Sequence, residues 1–191
     1  MTSLLGRLVR LFSDSVPLED LFTEAVARLF ERRPDLCVAW LKDAKLLPLS
    51  RAAREGGVRV NVSSQKWVGA LDHQDAASRI DLVIEVLWSP EATAAEGRVV
   101  ADMVMVESKI GGREGINFQL RRYAEHLHGM ADYEGKALLY ITRGYDPKDP
   151  REILPDASDV RFEQLRWRDF YRFLQRAFGG RLYKHREFPD S

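Results

Sequence analysis

The chain is nearly without cysteine. Cys37 stands alone, which excludes an internal disulfide and makes the reducing cytoplasm the expected compartment. It has no excess of charge of either sign, since 29 Lys and Arg balance 29 Asp and Glu. No global field then gathers an anionic polymer, and any nucleic-acid contact has to come from a local patch. It has no apolar run near the roughly 18 residues that suggest a membrane-spanning helix, so no membrane partner is expected. The opening segment MTSLLGRLVRLF is too short and too interrupted by arginine to read as a signal peptide, and suits a short amphipathic helix. Internal repeats and low-complexity linkers are absent as well.

What is present is ordinary for a folded domain: 191 residues, 45% hydrophobic and 30% charged. We read residues 1–191 as one domain with its core at about 17–178. Residues 17–32 suit a helix, with Ser15 and Pro17 as start signals, Glu19 and Asp20 in the first turn, and Leu18, Leu21, Phe22, Ala25, Val26 and Leu29 as the apolar stripe. LCVAWLKDA suits a second helix. VRVNV (58–62) alternates as a strand, and RIDLVIEVLW (79–88) follows as another. GINFQLRRYAEHLHGM has helical spacing at Phe118, Leu120, Tyr123, Ala124 and Leu127. KALLYIT (136–142) is a short buried strand and residues 144–159 a proline-rich loop. VRFEQLRW is the last strand, and RDFYRFLQRAF a closing helix that stops at Gly179 and Gly180. This order predicts an α/β (mixed α+β) fold, a central mixed sheet flanked by helices.

One stretch does not suit a plain core. VVADMVMVESKIGG (99–112) is almost continuously apolar, as in a strand covered on both faces, yet Glu107 and Lys109 lie inside its far end. Burying such groups costs several kcal/mol or more unless they are paired or ligated, on the order of known desolvation penalties. Glu107 and Lys109 are two apart and share a strand face. A hairpin that pairs Trp88 with Val100 also sets Asp81 opposite Glu107, with Cβ atoms roughly 5 Å apart. Two carboxylates that close repel unless a cation sits between them. Oxygen ligands suit a hard ion such as Mg²⁺ or Mn²⁺. A neighbouring lysine can hold an attacking water or offset charge on a phosphate.

Asp81, a hairpin, Glu107-Ser108-Lys109, a Gly-Gly pair and then Gln119 and Tyr123 in QLRRY make an ordered set. That set resembles the PD-(D/E)XK nuclease superfamily, in its RecB-like branch with a Q-x-x-x-Y element. Ile80 stands where the family name has proline. The resemblance covers roughly residues 18–174 and implies a restriction-endonuclease-like fold and a Mg²⁺- or Mn²⁺-dependent hydrolase of phosphodiester bonds in DNA, in DNA processing or bacterial defence. It implies that Asp81, Glu107 and the Ser108 carbonyl hold the metal and that Lys109 orients water. Gln119 would reach back to the site, and Tyr123 would stabilise it or contact substrate. Glu24 resembles an acidic residue that several members add to the metal site. Arg113, Arg121 and Arg122 are candidates for contacts with the DNA backbone.

Other readings stand beside these. Glu107 and Lys109 also suit an ion pair at a solvated strand end, Glu24 a solvated helix position, and Tyr123 a core residue. Arg161, Arg166, Arg168, Arg172, Arg176, Arg181, Lys184 and Arg186 suit either a phosphate-binding surface or a solvated face. A nuclease fold that binds nucleic acid or protein without cutting, or one that cuts RNA, carries the same motifs. Homo-oligomers and further domains of a longer chain are compatible with all of them.

Overall fold

The apolar run that ends in Glu107 is the middle strand of a five-stranded sheet. The computed structural model describes residues 18–48, 57–68, 78–89, 100–110 and 116–182. The expected N-terminal helix, the loop after Ser89 and the turn at Gly111 and Gly112 lie outside them. Chain order runs α1 (Leu18–Arg32), α2 (Pro34–Asp43), β1 (Gly57–Val68), β2 (Ser78–Ser89), β3 (Val100–Lys109), α3 (Ile116–His128), β4 (Gly135–Thr142), α4 (Pro150–Ile153), β5 (Val160–Arg166) and α5 (Trp167–Leu182). The strands lie side by side in the order β1-β2-β3-β4-β5. The first three pair antiparallel, and β3-β4 and β4-β5 pair parallel. The sheet is therefore mixed and flanked by helices.

Alternation along the strands divides the core in two. Leu82, Ile84, Val86, Val104, Val106, Ala137 and Leu139 pack toward Val26, Phe30 and Trp40 of α1 and α2 and Phe170 and Phe173 of α5. Val83, Met103, Met105, Leu138 and Tyr140 pack on the other face with Leu120, Tyr123, Ala124 and Leu127 of α3 and Ile153 of α4. Both faces are covered, which is why β3 reads as a continuous apolar run. Glu107 and Lys109 alternate with Val106, so they fall on the α3 face.

Four local expectations change. Strand β1 is longer than VRVNV and continues to Val68. A short helix, α4, interrupts the proline-rich loop: the Asp149 side chain caps it by accepting from the Arg151 amide at 2.9 Å, with Pro150 in its first turn. Helix α5 runs through Gly179 and Gly180 to Leu182. Glycine weakens a helix by about 1 kcal/mol relative to alanine without ending it. Phe118 does not belong to the buried stripe of α3; it is 80% exposed, and Ile116 is buried instead.

Packing is tightest at the start of β4. A Cβ on Gly135 would sit 2.8 Å from Pro48 and also collide with the Asp102 carboxylate. Asp102 is itself buried and accepts from the Trp88 indole at 2.6 Å. Gly135→Ala is expected to destabilise the fold by about 1–3 kcal/mol, the usual cost of overpacking. The check is a lower urea midpoint at unchanged slope. An unchanged midpoint would show that this strand end shifts freely.

Candidate active site

Asp81 and Glu107 come together through the expected hairpin. The β2-β3 ladder pairs Trp88 with Val100 and keeps that register to Leu82↔Val106, one step short of Asp81 and Glu107. There the Ser108 amide donates to the Asp81 carboxylate at 2.8 Å. Both carboxylates are deeply buried, Asp81 at 5% exposure and Glu107 at 1%. The Lys109 ammonium lies 2.7 Å from Glu107 Oε1. The pairing with Glu107 is thus an ion pair at a buried position rather than at a solvated strand end. The Ser108 side chain points to the opposite face, where it accepts from the Trp167 indole at 3.3 Å. Amide and carbonyl of one residue in an antiparallel ladder face the same neighbour, so the Ser108 carbonyl is directed to the Asp81 side.

The β1-β2 pairing is kinked opposite Asp81, at Gln65 of β1. The β1-β2 ladder holds one register from Gly57↔Ser89 to Val68↔Ser78 but omits the pair Gln65 and Asp81. Gln65 has φ of 56°, in the left-handed region that costs a non-glycine residue about 1–2 kcal/mol. Ile80 consequently packs on the α3 face, although Leu82, two residues on, packs on the other. The kink frees Asp81 from both ladders. Strain of this kind concentrates at functional sites.

Side chains around the kink keep it in place. Gln65 donates to Asp20 at 3.0 Å, and Arg79 pairs with Asp20 at 3.3 Å. The Arg79 carbonyl accepts from the Tyr123 hydroxyl at 2.9 Å, which in turn accepts from Gln119 at 2.8 Å. Gln119 and Tyr123 thus act as a unit, one helical turn apart on one face of α3. Tyr123 is 1% exposed, so its ring offers no face to a base. Of the two expected roles, stabilising the site or contacting substrate, this placement accords with the first, since its hydroxyl bonds β2 at the Arg79 carbonyl. Burial pushes its phenol above the usual value near 10, with Glu107 and Asp81 adding to that shift and Gln119 and Lys109 opposing it. The phenol therefore lies within electrostatic reach of all three charged residues.

The other expected residues are placed elsewhere. Helix α1 packs on the face opposite α3, and Glu24 is half-exposed there. It accepts from Ser64 at 2.6 Å and pairs with Arg28 at 2.8 Å. The Ser64 hydroxyl chiefly holds its carboxyl below the usual range, with burial opposing and Arg28 assisting. Among the described residues no three His, Cys, Asp or Glu side chains group as metal ligands. Arg121 and Arg122 are exposed on α3, Arg121 paired with Glu125 at 3.0 Å. Arg113 lies outside the described residues. In the basic C-terminal segment, Arg161 and Arg176 serve structure: Arg161 donates to the Leu47 carbonyl at 3.4 Å and Arg176 holds Asp43 at 2.8 Å.

Sequence reasoning missed Asp20, Gln65 and Arg79. Their only signal was position: Asp20 looked like a favourable charge in a first helical turn. It also missed Tyr140 and Gln164, which the parallel ladders place in a row with Glu107. Comparison with family models, with curated proteins and with solved structures finds no significant match.

Tyr123 carries a testable pH dependence. A phenol whose pKa is higher folded than unfolded adds stability below pH 10, and that stability is lost as pH rises above 10. Chemical denaturation of the parent should show this alkaline loss, and Tyr123→Phe should flatten it. At neutral pH the same variant should cost about 1–3 kcal/mol, because the partners of the hydroxyl lose it. Identical alkaline slopes in the two proteins would remove the proposed coupling.

Proposed function

We propose that this protein is a metal-dependent nuclease that hydrolyses phosphodiester bonds in DNA, with a restriction-endonuclease-like fold. One observation carries the reading: Asp81 accepts from the amide of Ser108, the residue between the paired Glu107 and Lys109, and both carboxylates are almost fully buried. The mixed sheet flanked by helices is consistent with it, and so is the ordered set of sequence motifs.

The residues present fit a hard divalent cation. Two buried carboxylates from adjacent strands and a backbone carbonyl on the same side are oxygen donors only, the chemistry that Mg²⁺ and Mn²⁺ prefer. Asp81, Glu107 and the Ser108 carbonyl would hold the ion. When bound, it would supply Lewis-acid stabilisation of the phosphoryl oxygens.

The protein's own groups do the rest. The Ser108 amide fixes one Asp81 oxygen and so orients the carboxylate. The Lys109 ammonium, partly exposed beside Glu107, can hold a water in line with a phosphorus atom and offset the negative charge that develops there. Gln119 and Tyr123 hold β2 at Arg79 and thereby set where Asp81 points.

Cleavage of linear and circular DNA should require Mg²⁺ or Mn²⁺ and stop with EDTA. Asp81→Asn and Glu107→Gln, which keep side-chain size, should abolish it. Lys109→Ala should lower the rate by roughly 10²–10³ and keep DNA binding and the unfolding midpoint, as for loss of one charge-stabilising group. Normal cleavage by Lys109→Ala would rule out its role. Cleavage that survives both EDTA and Glu107→Gln would overturn the nuclease site.

A further inference from the structure

Beside the acid pair lies a cavity that the chemistry above does not use. It has a volume of about 230 Å³ at the ends of β4 and β5, lined by Tyr140, Thr142, Tyr145, Gln164, Arg166 and Asp169 among others. The parallel ladders join it to the site. Lys109, Thr142 and Arg166 form one row across three strands, and Glu107, Tyr140 and Gln164 form the row before it. Residues in register share a face, so the cavity begins one strand from Lys109, about 4.8 Å away.

Its outer wall, the loop at 143–149, is rigidly held. Gln164 accepts from the Lys148 amide at 2.7 Å and donates to the Lys148 carbonyl at 2.8 Å. The Tyr140 hydroxyl donates to Asp146 at 2.7 Å, and the Lys148 ammonium pairs with Asp146 at 3.0 Å. Thr142 donates to the Gly144 carbonyl at 2.7 Å, and the Arg143 amide to the Lys109 carbonyl at 3.1 Å. These bonds hold Tyr145 outward, with 82% of its surface exposed. An aromatic ring held in water on a loop this constrained does nothing for the core. The far wall carries Arg166, 3.7 Å from the Asp169 carboxylate, and behind that carboxylate Arg168 and Arg172 each lie 3.8 Å away, outside the lining.

We propose that this cavity is a subsite for one unpaired nucleotide next to the phosphodiester at Lys109. Tyr145 packs against the base, and Arg166 faces the adjoining phosphate. The placement of the phosphodiester rests on the nuclease reading. The volume is below the roughly 300–1,000 Å³ of pockets for drug-sized ligands, so it suits one nucleoside and not a base pair. Base-on-aromatic stacking tolerates any base and needs that base unpaired. The subsite therefore makes the protein prefer a single strand, or a duplex opened at the point of contact.

The test is fluorescence anisotropy in Mg²⁺ with a labelled oligo-dT strand and a blunt duplex of equal length. Variants are made in the Glu107→Gln protein, so that nothing is cut, and circular dichroism checks their fold. Tyr145→Ala should weaken single-strand binding about tenfold, within the range of aromatic–base stacking, and change duplex binding less than about twofold. Tyr145→Phe should bind as the parent does. Equal single-strand affinity for Tyr145→Ala and its parent overturns the subsite, and if unmutated protein still cuts DNA with Mg²⁺, the nuclease reading survives. If unmutated protein cuts nothing but Tyr145→Ala still loses single-strand affinity, the subsite stands and the catalytic reading falls. No binding to either DNA overturns both.

Discussion

The hydrogen bond from the Ser108 amide to the Asp81 carboxylate holds the candidate site together. It takes the place of a ladder bond at the point where the β2-β3 ladder ends and the β1-β2 ladder skips one pair. A carboxylate buried this deeply needs donors or positive charge nearby. Ser108 supplies a donor from the backbone, where no rotamer change can withdraw it. Because the donor sits between Glu107 and Lys109 in the chain, the same bond aligns three side chains from two strands. The Glu107–Lys109 pair places an ammonium beside the Glu107 carboxylate without a second element having to dock.

A second layer keeps that bond in register. The Asp20 carboxylate draws Gln65 and Arg79 toward α1, and the Tyr123 hydroxyl holds Arg79 from the opposite face. The kink at Asp81 is gripped from both sides of the sheet. Polar networks in a low-dielectric interior are strong when every member is satisfied and costly when one is lost. Gln119 and Tyr123 belong to this layer, one step removed from Asp81.

Much of this was legible in the sequence. The β2-β3 register followed from setting Asp81 opposite Glu107 and Trp88 opposite Val100, and a slip of one residue would have turned Leu82 and Ile84 away from their core. Periodicity also located α3, because Leu120, Tyr123, Ala124 and Leu127 recur on one face. What escaped depended on long-range contacts. Glu24 resembled a third acidic ligand; its bond to Ser64 follows from how the whole stripe Val26, Ala27 and Phe30 packs on the sheet, which no local pattern shows. Phe118 obeyed helical spacing, but a stripe of that width has an edge, and Phe118 lies beyond it. The clamp of Gln164 on Lys148 joins residues that no local pattern relates.

The strands lie in the sheet in the same order as in the chain. Each new strand can therefore add to the edge left by the one made before it, with no gap held open for a later segment. Asp81, Glu107 and Lys109 all come from the hairpin half, and the cavity beside them comes from the two later parallel strands. During synthesis the charged groups would meet first, and the wall next to them would be built last. A chain truncated after Lys109 would keep the acidic residues and lose the surface on which they rest.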